Sequence, residues 1–163
     1  MNTLIGELTE TFSVIPVEVA ALRLFMAMAF GGIIGLEREW RTKPAGLRTH
    51  MLISVAACLF VLVSFEIANL PFGPDEIRRV DPLRLIEAVT AGVAFLAAGA
   101  IFTMQGKVQN LTTGASMWLA GAIGLSSGAG RIPLAAIATL FALVILLIVA
   151  RFEKTAAVTK TDA

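Results

Sequence analysis

The stretch GLEREWRTKPAGLRTHMLISVAACLF, residues 35–60, places seven charged or titratable side chains between two apolar runs. Each of those runs is about 20 residues long, which is the length an α-helix needs to cross about 30 Å of hydrocarbon. The whole chain is 57% hydrophobic and 15% charged, a composition outside the usual range of soluble domains. The stretch therefore reads as a short charged connection between two membrane-spanning helices.

Five apolar segments account for most of the chain. They are residues 17–36, 49–68, 83–104, 111–129 and 132–150. Lipid offers no hydrogen bonds, so each span must satisfy its own backbone as an α-helix. The N-terminal segment lacks the features of a signal peptide, and the tail after Phe152 is too short for a domain. The sequence predicts one domain, residues 1–163, which is an all-α integral membrane bundle of five transmembrane helices.

The connections alternate between the two sides of the membrane and differ in basic residues. One side receives Arg38, Arg41, Lys43, Arg48, Lys107, Arg151, Lys154 and Lys160. The other side receives Arg78, Arg79, Arg84 and Arg131, partly offset by Asp75, Glu76 and Asp81. Cytoplasmic loops carry the excess of Lys and Arg. We therefore expect an external N-terminus and a cytoplasmic C-terminus.

Acidic residues contribute little to orientation, so topology alone does not explain two glutamates in the first connection. The N-terminus of the second helix follows Pro44-Ala45-Gly46 and carries unpaired N–H groups that suit a carboxylate. We expect Arg48 to grip Glu39 through its planar guanidinium. The alternative is a solvated connection that only sets topology. The predicted hydrogen-bonded cluster comprises Glu37, Arg38, Glu39, Arg48, Thr49 and His50.

His50 is the only histidine of the chain, and we favour hydrogen bonding over metal binding for it. The single cysteine, Cys58, lies in an apolar run and is expected to be a packing residue. Nothing in the sequence brings together a nucleophile, a base and an orienting group, so no catalytic residue or cofactor is predicted. The net charge of +1 gives no reason to expect nucleic acid as a partner.

Several polar residues lie in or beside the predicted spans. Arg23 interrupts the first span and is expected to face the bundle, with Glu87 or Glu66 as its partner. Glu87 also follows Arg84 by three residues, which makes a local helix pair equally plausible. Asp81 before Pro82 is typical of an N-cap followed by the first helical position. Asn110 is predicted to cap the fourth span, and for Thr112 and Thr113 capping is favoured over bonds between helices.

Small residues allow helices to approach closely in lipid. Gly31 and Gly35 are four residues apart in the first span, and further glycines occur in the third and fourth spans. Most of these contacts are expected within one protomer, while a homodimer stays open. The predicted helix-packing residues are Gly31, Gly35, Gly92, Gly99 and Gly121.

Two blocks of sequence resemble the MgtC/SapB family of bacterial inner-membrane proteins. The first is GGIIGLERE, residues 31–39, followed by PAGLRTH, residues 44–50. The second comprises Asp81-Pro82-x-Arg84, the run AFLAAGAI at residues 94–101, and a series of single positions that continues to AIGL at residues 122–125. Ala94 and Ala97 stand where the family often has glycine. The resemblance covers roughly residues 20 to 130 in the family's order.

The resemblance implies a five-span protein with a cytoplasmic C-terminus, located in the bacterial inner membrane. It also implies a role in adaptation to low magnesium or intracellular stress, exerted on other membrane proteins that include the F-type ATP synthase. Many members of the family continue into a cytoplasmic ACT-like domain. Since this sequence ends soon after the fifth span, we expect it to be a short member without that domain.

Two classes of function follow. The favoured one is a non-catalytic regulator or adaptor that lies among membrane lipids and binds other inner-membrane proteins or its own copy. The alternative is a transporter or channel for magnesium or another cation, with Glu37, Glu39 and Glu87 along its path, since hard divalent ions need oxygen ligands. Few acidic residues lie within the spans, and an odd number of spans excludes a simple repeat of two halves.

Overall fold

The computed structural model describes residues 14–69, 81–104 and 106–159, with side chains described to residue 148. Three parts of the chain therefore lie wholly or almost wholly outside the described residues. They are the N-terminal segment, the second connection with Asp75, Glu76, Arg78 and Arg79, and Lys160 of the tail. Within the described part, the helices are α1 (Val17–Trp40), α2 (Leu47–Asn69), α3 (Pro82–Ala100), α4 (Leu111–Gly128) and α5 (Ile132–Thr159).

Three of these helices, α1, α2 and α3, are long and apolar enough to cross a membrane. A further apolar segment of α5 runs from Ile132 to Ile148. α4 has 18 residues and no charged side chain, but it is rich in Gly, Ser and Thr. The expected all-α membrane-type fold is present, whereas the number of five spans and their sidedness stay predictions.

The central position of α4 explains its weak apolar character. α4 packs against each of the other four helices, and more than half of its residues are buried. Because protein rather than lipid surrounds it, small and polar side chains replace large apolar ones. Most of the large exposed apolar side chains lie on the outer helices, as Phe95 on α3 and Leu140 and Phe141 on α5 illustrate.

Contacts between helices fix their directions. Gly35 packs against Leu47, so α1 and α2 are antiparallel. His50 bonds Ser116, and Gly128 packs against Cys58, so α2 and α4 run in the same direction. The end of α1 and the starts of α2 and α4 consequently share one end of the bundle. We call residues 37–50 the charged end.

A two-stranded antiparallel hairpin, β1 (Phe102–Met104) and β2 (Lys107–Gln109), joins α3 to α4. The prediction that the third span continues to residue 104 is therefore wrong, because the helix stops at Ala100. The hairpin pairs Thr103 with Val108, and its turn contains Gly106 with φ of +75°. Glycine adopts this left-handed conformation at little cost, which lets the chain reverse within two residues.

Only some of the predicted packing glycines touch another helix. A Cβ on Gly31 would lie 2.7 Å from the carbonyl oxygen of His50, and one on Gly35 would lie 2.7 Å from Cα of Leu47. Gly121 packs in the same way against Val93 of α3. Gly92 and Gly99 make no close contact among the described residues of one protomer, since a Cβ on either would meet nothing within 4 Å; their packing in a homodimer stays a prediction.

Candidate functional site

The charged end includes the last turn of α1, and the turn that follows this helix is closed by backbone hydrogen bonds. Lys43 N donates to the carbonyl of Arg38 at 3.0 Å, and Thr42 N donates to the carbonyl of Glu39 at 2.9 Å. This pair of bonds is a Schellman motif, whose residue after the C-cap adopts the left-handed conformation. Thr42 takes that place with φ of 52°. Glycine is usual there, so the sequence carries no obvious signal for this turn.

Glu37 lies buried between two arginines. Arg38 Nε donates to Glu37 Oε2 at 2.7 Å, and Arg41 Nε forms an ion pair with Glu37 Oε1. Glu37 is 5% exposed and Arg38 is 2% exposed, so both charges are removed from solvent. Arg38 Nη1 has no hydrogen-bond partner among the described residues. Glu37 is thus the group that balances the buried guanidinium of Arg38.

Glu39 reaches the start of the next helix. Its Oε2 accepts a hydrogen bond from Leu47 N at 3.0 Å, which satisfies one of the unpaired donors of α2. The carboxylate lies directly over Gly46, where any Cβ would overlap it. A larger residue in place of Gly46 would require the Glu39 carboxylate to move.

The expected bond between Glu39 and Arg48 is not present. Arg48 is exposed, and the structure records no ion pair for it among the described residues. Thr49, also assigned to the cluster, is half-buried. The prediction that Glu39 lies at the start of α2 is confirmed, but its partner is the backbone N–H of Leu47 and not the guanidinium of Arg48.

His50 joins α2 to α4 inside the bundle. Its Nδ1 lies 2.9 Å from the carbonyl oxygen of Gly46, and its Nε2 lies 3.0 Å from Ser116 Oγ. A carbonyl only accepts, so Nδ1 donates, and in the neutral ring Nε2 accepts the hydroxyl proton of Ser116. That proton then points to His50 rather than to the carbonyl of Thr113, which is 2.9 Å away.

Arg23 lies at the opposite end of the bundle and faces the helices, but its partner is not an acid. Its Nη1 donates to the carbonyl oxygen of Gly128 at 2.8 Å, in the last turn of α4. A cation is favourable there because the last carbonyls of a helix are unpaired and partly negative. The predicted partners are used otherwise: Glu66 Oε1 accepts from the backbone N–H of Val14 and Ile15, and Glu87 is exposed.

Asp81 is the N-cap of α3. Its Oδ1 accepts from Leu83 N at 3.0 Å, and Pro82 follows as the first helical residue. Its other oxygen lies 3.5 Å from Arg84 Nε. Among the described residues, Arg84 thus pairs with Asp81, and the local pair of Arg84 with Glu87 is not formed.

Asn110 occupies the N-cap position of α4 but does not cap it through its side chain. The residue has φ of 64°, and its Nδ2 donates to the carbonyl of Ala100 at 3.1 Å, across the hairpin. The predicted side-chain cap is therefore wrong. Of the two neighbouring threonines, Thr112 is exposed and Thr113 is buried, and the structure records no side-chain cap from either.

Sequence reasoning missed three residues at the contact between α2 and α4. They are Ser54, Ser116 and Gly124. Ser54 is fully buried, and Gly124 approaches its carbonyl so closely that a Cβ would overlap it. Gly124 lies in the AIGL motif, which repeats part of the earlier GGIIGL motif. This similarity is the sequence signal that could have identified Gly124 as a packing glycine.

A comparison with known proteins places these features in a family. A family model described as "MgtC family" matches residues 24–155. The "Protein MgtC" of Brucella abortus is 39% identical over 126 residues, which cover 77% of this chain and 49% of that protein. The "Putative magnesium transporter YhiD" of Escherichia coli K12 is 37% identical over 126 residues, covering 77% of this chain and 58% of that protein.

A third relative is the "Protein SapB" of Bacillus subtilis, which is 41% identical over 111 residues, covering 67% of this chain and 47% of that protein. The chain spans about half the length of the curated relatives it matches. No solved structure matches it significantly. The matched residues 24–155 include the charged end, the hairpin and the central helix α4.

Proposed function

Since this chain belongs to the MgtC family, we propose that it is a non-catalytic protein of the bacterial inner membrane that regulates other membrane proteins by binding them. The proposal retains a role in adaptation to low magnesium or stress. The observation that supports it most is that carboxylates near the helix ends are bonded within the protein. Glu37, Glu39, Glu66 and Asp81 each bond an arginine or a backbone N–H group.

Four carboxylates of the described residues support this view. Glu37 is held by two arginines, and three others accept bonds from backbone N–H groups: Glu39, Glu66 and Asp81. A pathway for a hard divalent cation needs oxygen ligands that replace the water around the ion. No group of three or more His, Cys, Asp and Glu side chains comes together in the described part of the chain.

The charged end offers a surface for a partner. Trp40 is 82% exposed at the last turn of α1, and Lys43 and Arg48 are exposed beside it. An exposed tryptophan among cations is the kind of group that anchors protein interfaces. The partner we propose is an inner-membrane protein with an acidic surface at this level, and the F-type ATP synthase is the first to test because the family resemblance implies it. A second copy of the chain is the other partner to test.

A second candidate function is cation transport, and one observation favours it. The relative from Escherichia coli K12 carries the name "Putative magnesium transporter YhiD". In a transporter the buried Glu37 would have to exchange an arginine for a cation during each cycle.

Ion flux distinguishes the two functions. The purified protein alone is reconstituted in liposomes that contain a magnesium-sensitive dye, and external Mg²⁺ is added. We expect the same entry rate as in protein-free liposomes. Magnesium entry well above that background would overturn the proposed function, whether or not Glu37→Gln abolishes it, and the exposed variant Arg48→Gln is the control.

Partner binding is tested separately by placing a photo-crosslinking amino acid at Trp40. We expect crosslinks from membranes to a defined inner-membrane protein or to a second copy, and their loss when Lys43 and Arg48 are both changed to Glu. A crosslinker at Leu140, on the outer face of α5, is the matched control. Equal crosslinking patterns at the two positions would contradict a binding surface at the charged end.

A further inference from the structure

A groove between α2 and α3 is left unfilled by the described residues. α3 rests on α4, where Val93 packs against Gly121, and it touches α2 much less. The groove has a volume of about 280 Å³ and is lined only by apolar residues, among them Ile53, Ala57 and Phe60 of α2. Water would find no hydrogen-bonding partner along these walls. Hydrocarbon is the material that fits such a groove.

A row of residues on α3 runs from this groove to the cationic side chain of Arg84. Arg84, Ala88, Gly92 and Leu96 follow one another at intervals of four, so they form one ridge of α3 that is inclined to the helix axis. The last three line the groove, and Arg84 lies one turn beyond it, at the N-terminal end of α3. From Arg84 to Leu96 the helix rises about 18 Å, close to the roughly 15 Å depth of hydrocarbon in one leaflet.

Arg84 is available to an anion. Its side chain is 85% exposed, and its recorded polar contact among the described residues is Asp81, 3.5 Å from its Nε. The other oxygen of Asp81 is engaged with Leu83 N. The guanidinium therefore has donors to offer, and it lies beside the positive end of the α3 dipole. Planar guanidinium groups bind phosphate oxygens through two parallel bonds.

We propose that this groove is a binding site for a glycerophospholipid, with one acyl chain between α2 and α3 and the phosphate on Arg84. The row of Arg84, Ala88, Gly92 and Leu96 matches such a lipid in both chemistry and length. A helix from another protein could also cover the apolar groove, but it carries no phosphate for Arg84, and the crosslinking experiment below tests it. This site is separate from the charged end and goes beyond the proposed function.

Native mass spectrometry of the full chain in detergent tests the site. Phosphatidylglycerol, diacylglycerol and inorganic phosphate are added separately, and bound molecules are counted. We expect one phosphatidylglycerol to be retained, with weaker binding of diacylglycerol and none of phosphate. Arg84→Gln should weaken phosphatidylglycerol about fivefold, because one cation near the membrane surface contributes about 1 kcal/mol. Gly92→Leu should remove the retained lipid, because the new side chain fills the groove.

Matched controls make the result specific. Gly99→Leu also adds a side chain in open space on α3, but outside the groove lining, and Arg48→Gln removes an exposed arginine at the charged end. Both should bind lipid like the unchanged protein. Ala88→Leu is a second filling variant in case Gly92→Leu does not fold.

Three outcomes would overturn the proposal. The first is unchanged lipid retention in both filling variants. The second is equal binding of phosphatidylglycerol and diacylglycerol, which would remove Arg84 from the site. The third is a photo-crosslinker at position 92 that labels a polypeptide rather than lipid, which would identify the groove as a docking site for another helix.

Discussion

At the residue scale, Glu37 and Arg38 form a pair whose two members are not equivalent. Glu37 retains Arg41 if Arg38 is lost, whereas Arg38 has no second acid recorded among the described residues. We therefore expect Glu37→Gln to lower the free energy of unfolding by about 3 to 5 kcal/mol, because it leaves a buried cation unpaired. Arg38→Gln should cost about 1 to 3 kcal/mol. Denaturant titration of the detergent-solubilised protein measures both.

The exposed Arg48 is the control for this pair. Arg48→Gln should change the free energy of unfolding by less than about 0.5 kcal/mol. The double variant of Glu37 and Arg38 should lose less than the sum of the single variants, as expected for a contacting pair. Small, additive losses at all three positions would mean that these charges only orient the connection.

Thr42 carries the clearest backbone strain of the charged end. A β-branched residue in the left-handed conformation is disfavoured by roughly 1 to 2 kcal/mol, whereas glycine tolerates it. Thr42→Gly should therefore raise the free energy of unfolding by about 0.5 to 1 kcal/mol, after the entropy that glycine loses on folding. Thr42→Val should lower it. Thermal melting of the three proteins checks this order, and a lower melting temperature for Thr42→Gly would refute the assigned strain.

Single residues also show which contacts could not be predicted from the sequence. The sequence singled out Arg23, Glu39, Glu66 and Asn110 as polar groups with a structural task, and each has one in the structure. The predicted side-chain partners were wrong for Arg23 and Glu39, which both bond backbone groups at helix ends. The start of α2 after Pro44-Ala45-Gly46 was recognisable as a place for a carboxylate, whereas the carbonyl that Arg23 reaches depends on how α1 packs against α4.

At the scale of elements, the contact between α2 and α4 depends on the absence of a side chain at Gly124. A methyl group there would overlap the backbone carbonyl of Ser54, which cannot move without the helix. Gly124→Ala should lower the free energy of unfolding by about 1 to 3 kcal/mol through overpacking. Gly99→Ala is the matched control: it meets nothing within 4 Å and should be neutral or stabilising by up to about 1 kcal/mol.

Both variants are compared by thermal melting in the same detergent. A melting temperature for Gly124→Ala equal to that of the unchanged protein would contradict the close approach of α2 and α4. A similar loss in Gly124→Ala and Gly99→Ala would instead indicate a general intolerance of larger residues.

The starts of α1, α2, α3, α4 and α5 agree with the predicted spans to within two residues, because hydropathy and the proline and glycine turns mark them. The end of the third span does not agree. Residues 101–104 are apolar and read as more helix, yet Phe102–Met104 form a strand. That strand depends on pairing with Lys107–Gln109, a contact that hydropathy over a window of 20 residues does not detect.

At the scale of the whole molecule, the placement of helix ends and the charges of the connections lead to a test of topology. The first connection and the hairpin lie at one end of the bundle, and both carry exposed lysine. We expect a reporter fused after Ala163 to be cytoplasmic and one inserted near Gly73 to be external. Alkaline phosphatase and a fluorescent protein report the two sides. The reverse pattern would refute the predicted orientation, and both reporters on the same side would refute the five-span arrangement.

The order in which the bundle is built follows from the bond between Arg23 and Gly128. The two residues are 105 positions apart in the chain, so the ribosome finishes α4 long after α1 has emerged. At about 5 to 20 residues per second, the delay is roughly 5 to 20 s. During that interval the first helix carries an arginine whose acceptor has not yet been synthesised. We expect its guanidinium to stay near headgroups or water until translation supplies α4, because a cation among lipid tails is costly.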